Sequence, residues 1–246
     1  MYKVSVILLV FLCVSIPAPL LAQAPAAPDN DQPQKSTYPG IVSGLTSDFV
    51  SDQKHMWTSP WHISGSDVKW LVPVSAAAGS LFIFDHRISD AARADTSLRT
   101  PSNIVSSAGN VAPYAVPGAL FLFGALKHDG HASEAGRLGA EAALDAEVIM
   151  QVLKFATNRT RPNLSDNRSF PSGHAMSAFA LAAVMSREYH DRPLVVYGSY
   201  GFATAIGLAR IGGLNHFPSD VFVGAVMGEL IGRYVVHHHA QLADSQ

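Results

Sequence analysis

From residue 41 onward the chain repeats one pattern: apolar stretches of helical length, parted by proline and glycine, with little of the alternation and hairpin-turn signalling that a sheet requires. That pattern predicts an all-α protein. Helices are expected near Ser47–His55, Ser66–Phe84, Val111–Leu126, Ala132–Thr157, Gly173–Tyr189, Leu194–Ala209 and Ser219–His237, with Ser66 capping the second. Pro101, Gly130, Pro162, Pro171, Pro193, Gly212-Gly213 and Pro218 mark the joints. The expected architecture is a compact bundle of about six main helices in one domain, residues 41–246.

The first 40 residues read differently. Lys3, the apolar run Val4–Ile16 and the small residue of Leu20-Leu21-Ala22 have the layout of a secretory signal peptide, residues 1–22. Pro17 and Pro19 leave that run short for a bilayer span of roughly 20 residues. Residues 23–40 are rich in proline, alanine and small polar side chains and read as a disordered linker. The one cysteine, Cys13, falls inside the leader, so the mature chain is expected to be free of thiols and disulfides. These features predict an exported, periplasmic protein.

Apolar residues make up 48% of the chain and charged residues 15%, a balance between a soluble bundle and a membrane protein. The stretches Trp70–Phe84, Val111–Leu126 and Leu194–Ala209 are each about 16 residues, short for a comfortable span. Glu141, Asp145, Glu147, Glu229 and Arg233 sit inside other helices, where lipid would make them costly. The expectation is therefore a globular bundle with contact at a membrane surface rather than a six-span protein. A formal net charge of −2 without long charged runs gives no footprint for nucleic acid.

Three segments concentrate the chemistry. They are Lys154-Phe-Ala-Thr-Asn-Arg-Thr-Arg161-Pro162, Pro171-Ser172-Gly173-His174, and Arg210-Ile-Gly-Gly-Leu-Asn-His216-Phe-Pro-Ser-Asp220. A phosphoryl group in transfer is a compact anion, and its catalysis is mostly positioning and charge stabilisation. Two arginines and a lysine meet that need, because an arginine fork grips two oxygens and a lysine supplies a point charge. Ser172 and the Gly173 N–H stand at a helix start, where the backbone favours an anion, and glycine leaves room there. Asp220 lies one helical turn after His216 and could orient its ring by hydrogen bonding one nitrogen. His174, beside the same turn, could protonate a leaving oxygen and later activate water.

In order and spacing these segments, K-x6-RP, PSGH and R-x5-H-x3-D, resemble the type 2 phosphatidic acid phosphatase superfamily, which includes class A bacterial acid phosphatases and vanadium haloperoxidases. The resemblance implies an acid phosphatase/haloperoxidase-like helical fold. It also implies a metal-independent phosphatase that hydrolyses phosphate esters or diphosphates through a phosphohistidine. By resemblance His216 is the nucleophile, Asp220 its orienter and His174 the acid–base, while Lys154, Arg161, Ser172, Gly173 and Arg210 bind phosphate. No cofactor is expected, vanadate is an expected inhibitor, and the partner is a phosphorylated small molecule or lipid head group. One departure is Ala209, where the family usually has serine before the arginine. Two alternatives use the same pocket: a vanadium-dependent haloperoxidase, and an integral-membrane lipid or isoprenoid-diphosphate phosphatase.

Other features carry less. His128-Asp-Gly-His131 reads as an exposed turn, Asp85-His86-Arg87 as a polar helix boundary, and His237-His238-His239 as a fraying tail.

Overall fold

A computed structural model of the chain describes residues 41–58 and 64–244. The predicted leader and the linker lie outside the described residues. Among those described there is no strand, and the all-α expectation holds. The helices are α1 (Ile41–Thr58), α2 (Gly65–Ala94), α3 (Arg99–Lys127), α4 (Gly130–Thr157), α5 (Gly173–Glu188), α6 (Pro193–Gly212) and α7 (Pro218–Asp244), with a 3-10 turn at Thr96–Leu98.

Local chemistry explains most of the ends. The N-cap of α2 is Ser64 rather than the expected Ser66: its backbone N–H donates to Asp67 Oδ2 at 2.8 Å. His128 takes a left-handed conformation at the C-terminus of α3, and the Asp129 side chain then accepts from Ala132 N to start α4. Pro193 opens α6 and Pro218 opens α7, where a missing N–H costs nothing.

Two helices are longer than their composition suggests. α2 continues ten residues past Phe84, because Asp85 is no boundary: it is fully buried and hydrogen bonded within the bundle. α3 begins at Arg99, not near Val111, with Pro101 in its first turn and Pro113 and Pro117 inside it. The apolar stretches of α2, α3 and α6 thus belong to helices of 30, 29 and 20 residues. Asp67–Ala94, Thr96–Lys127 and Pro193–Gly212 are, by length and composition, long and apolar enough to cross a membrane. Large apolar side chains such as Val72 and Ile83 on α2, Ile104 and Leu122 on α3, and Leu194 on α6 point outward. The charges that counted against membrane spans fall on other helices, and Glu141 and Asp145 of α4 are buried in the bundle. These features associate the protein with a membrane.

α5 is the axis of the bundle, packed against α4, α6 and α7, with Ala175, Met176, Phe179, Ala180, Ala183 and Val184 fully enclosed. α7 approaches it closely because Gly224, Gly228 and Gly232 recur on one face. A Cβ on any of them would collide with the α5 segment from Ser172 to Ala183. That contact sets the start of α5 beside the start of α7, which is where the candidate site lies.

Candidate active site

The turn from Asn158 to Ser172 joins α4 to α5, and the turn from Gly213 to Phe217 joins α6 to α7; the site forms where they meet. Asn158 ends α4 in a left-handed conformation, and Leu214 takes a similar one at the other turn. The Asn163 N–H donates to Leu214 O at 3.1 Å, and Ser172 N to Asp220 O at 3.0 Å, so the two turns are sewn together through their backbones. The Phe170–Pro171 peptide between them is cis.

His216 is 1% exposed. Its Nδ1 lies 2.6 Å from the carbonyl oxygen of Ser169. A carbonyl only accepts, so Nδ1 carries the hydrogen and Nε2 keeps its lone pair. Arg161 Nη1 reaches that Nε2 at 3.2 Å and also donates to Asn215 O at 3.0 Å. Burial, followed by Arg210 and Arg161, pushes the His216 pKa well down, which keeps the ring neutral.

The partner of His216 differs from the sequence expectation. Asp220 Oδ2 stands 3.9 Å from His216 Nδ1, beyond hydrogen-bond reach. It accepts instead from Ser169 Oγ at 2.5 Å and from Phe217 N at 2.8 Å, while Oδ1 accepts from Arg159 Nη1 at 2.5 Å. Asp220 therefore holds the two segments that carry the histidine and its carbonyl acceptor, and orients the ring at one remove. Burial raises its pKa, against the opposing pull of Ser169 and Arg159.

Nothing in the sequence singles out Arg159, which lies between Lys154 and Arg161 in the first segment. It donates to Asp220 and Ser219 through Nη1 and to Asp85 through Nη2 at 2.6 Å, and its guanidinium lies over the rings of Phe82 and Phe217. Asp85 in turn accepts from Ser219 N at 3.0 Å and from Ser219 Oγ at 2.5 Å. Asp85 and Asp220 are both fully buried. Arg159→Ala would strand two buried carboxylates, and we expect a loss of about 3–5 kcal/mol in stability. Thermal unfolding of the variant in detergent measures it; an unfolding midpoint equal to wild type would rule the network out as a support.

The anion-directed groups converge opposite His216. Ser172 precedes α5 but makes no side-chain cap, and its buried Oγ has no hydrogen-bond partner. His174 Nε2 and Arg210 Nε are likewise buried and unpartnered. Lys154 is pushed down to about 8 by burial, then by Arg161, Arg168 and Arg210. His174 is pushed down to about 3 by burial, then by Arg210, Lys154 and Arg161. In both cases the neighbouring cations add to burial, which is the electrostatics expected of a cradle for an anion. Gly173 also packs closely on α4: a Cβ there would come within 3.1 Å of the Met150 side chain, which would have to shift slightly. Asp166 is the acid facing this cluster, accepting from Arg161 Nε at 2.7 Å, and Arg161 holds its carboxyl below the usual range.

Two cavities flank the site. One of about 340 Å³ adjoins Arg161 and is lined by Arg159, Arg93, His86, Asp90 and Phe217 among others. An apolar one of about 250 Å³ lies between α3, α5 and α6. Gly109 of α3 sits against both His174 and Ile206 of α6, and the apolar cavity begins one turn beyond, at Ala112, Ala178 and Phe202.

Known proteins resemble parts of this chain. A lipid A 1-phosphatase of Porphyromonas gingivalis is 39% identical over 80 residues, covering 32% of this chain and 18% of that protein. The shared region is thus less than a fifth of that relative's length. The crystal structure of Aquifex aeolicus LpxE covers 55% of this chain and 85% of its own at 26% identity, with a TM-score of 0.46. Residues 137–243, which include every site residue from Lys154 to Asp220, match the PAP2 superfamily. Through that segment the chain is similar to the PAP2 superfamily.

Proposed function

We propose that this protein is a membrane-associated phosphatase that removes phosphate from a phosphorylated lipid through a phosphohistidine on His216. The observation that carries this reading is the set of buried, unpartnered polar atoms on Ser172, His174 and Arg210, gathered with Lys154 and Arg161 around His216 Nε2, whose lone pair accepts from Arg161 until phosphate takes that guanidinium. An incoming phosphate would satisfy all of them at once. Lys154, Arg161, Ser172, the Gly173 N–H and Arg210 hold its oxygens, and the start of α5 adds its positive end.

In the first step His216 Nε2 attacks phosphorus and the bond from phosphorus to the ester oxygen breaks. His174 gives its proton to that oxygen, which leaves as the alcohol. In the second step water attacks phosphorus, the P–N bond breaks, and His174 takes the proton released by the water. Burial and then the cationic cluster depress His174; the phosphate dianion offsets the cations on arrival and so favours the proton that His174 must donate. No step calls for a metal or another cofactor.

The lipid reading rests on the three apolar helices and on the apolar cavity one turn from His174, about 5 Å along the helix axes. The lipid A 1-phosphatase activity named for the P. gingivalis relative agrees with it. Export of the chain, with its site outside the cytoplasm, follows from the N-terminal leader pattern.

Phosphate release by the full chain in detergent tests the proposal. Lipid phosphates should be hydrolysed with kcat/KM at least about tenfold above that of short-chain esters, a gap worth about 1.4 kcal/mol of apolar burial. Vanadate should inhibit. On the alkaline side kcat/KM should fall as pH rises through about 8, because Lys154 then loses its charge; Lys154→Arg should move that limb upward. Equal use of short-chain and lipid substrates would overturn the lipid assignment. Vanadate-dependent peroxidation without phosphate release would overturn the phosphatase itself.

A further inference from the structure

Far from this site, the C-terminal histidines are not a fraying tail. α7 runs through them, His239 is buried, and His238 and His239 turn toward acids on other helices. His239 Nε2 lies 3.0 Å from Glu141 Oε1 of α4, and His238 Nδ1 lies 2.6 Å from Asp52 Oδ1 of α1. Asp145, one turn after Glu141, accepts from the Gln53 side-chain amide at 2.8 Å. Asp52, Glu141 and Asp145 are at most 1% exposed.

Three enclosed carboxylates in one place are costly unless cations answer them. Arg137 answers Glu141 at 3.1 Å, and the two histidines answer in part. Asp52 Oδ2 and Asp145 Oδ2 remain buried with no hydrogen-bond partner among the described residues. Donor atoms of Asp52, Glu141 and His239 lie within 4.8 Å of one another, close enough to meet around one ion with small side-chain shifts.

We propose that Asp52, Glu141 and His239 bind a divalent transition-metal ion, best matched by zinc, that clamps α1 onto α4 and α7. An imidazole with two carboxylates and no thiolate is a borderline donor set that zinc accepts at about 2.0–2.2 Å, whereas magnesium and calcium favour oxygen alone. His238 holds Asp52 from behind, as outer partners of metal ligands do, and Asp145 stands nearby with an oxygen to offer. Glu141 precedes Lys154 by 13 residues on α4, about 20 Å along the helix, so the ion is structural and takes no part in phosphoryl transfer.

The experiment uses the full chain in detergent, without a histidine tag and stripped with a chelator. Zinc chloride alone is then titrated, with calorimetry and thermal unfolding as readouts. One equivalent should bind and raise the unfolding midpoint by about 5 °C or more. Asp52→Asn and Glu141→Gln should each lose the shift, while His237→Ala, at an exposed position, should keep it. Cobalt(II) in wild type should show the strong visible bands of a low-coordinate nitrogen and oxygen site, and zinc should abolish them; this readout stands even if the buried variants fold poorly. A wild-type midpoint unmoved by zinc, or a cobalt spectrum no stronger than that of the aqueous ion, would overturn the proposal. So would binding that His237→Ala removes and Asp52→Asn keeps, which would place the metal on the surface.

Discussion

His216→Ala should reduce turnover to background, a loss on the order of 10⁴-fold or more, and should abolish any trapped phosphoenzyme. The expectation rests on the lone pair. Ser169 O takes the hydrogen on Nδ1, burial keeps the ring neutral, and Nε2 is the nitrogen left facing Arg161 and the cationic cluster. No other nucleophile among the described residues combines an unprotonated ring nitrogen, here accepting from Arg161, with that position. Ser172 Oγ is near, but no base holds its proton: it makes no hydrogen bond at all. Rapid quenching in alkali, which preserves phosphohistidine, should find acid-labile phosphate on wild type and none on the variant. Vanadate binding to the variant, followed by thermal shift, shows that the cradle survives. Phosphate on a serine, or turnover within tenfold of wild type, would defeat the assignment.

His174→Ala should lose on the order of 10²–10⁴ in the first turnover of an alkyl phosphate, and much less with a nitrophenyl ester. An alkoxide is a poor leaving group and needs the proton that His174 carries, whereas a nitrophenolate departs without one. The geometry supports this division: His174 Nε2 is buried, lacks a partner, and stands with Arg210, Lys154 and Arg161 rather than with the carbonyl that fixes His216. The readout is the burst of alcohol or phenol before steady state, because His174 should also activate the water of the second step and so slow turnover for both substrates. Equal burst losses would mean that His174 only binds phosphate.

The fold is legible in outline because helix periodicity and the proline and glycine joints are local signals. Gly130, Pro193 and Pro218 each stand where a helix begins. The lengths of α2 and α3 are not legible. Asp85-His86-Arg87 looks like a polar end only until Asp85 is seen buried against Ser219 and Arg159, and a proline in the first turn of a helix looks the same as one between helices. Both signals shorten the expected helices, and shorter helices weigh against a membrane.

At the site, the residue types and their spacing name the chemistry, since arginines, a lysine, two histidines and a helix-start serine in this order suit a phosphoryl group whatever the fold. The sequence by itself determined that an all-α chain carries this set and which PAP2-like segments hold it. Tertiary structure alone decided the support: Ser169, not Asp220, receives the His216 hydrogen, Asp220 acts through Ser169 and Phe217 and is itself held by Arg159, and Asp85 joins them from a helix 74 residues away from Arg159. Likewise, only the packed bundle brings Asp52 of α1 to His238 and Glu141 of α4 to His239. The physical reason is common to both cases. Spacing along one segment is visible in the chain, but a buried charge is stabilised by whatever group the packing of distant helices brings within hydrogen-bond reach, and that choice has no local signature.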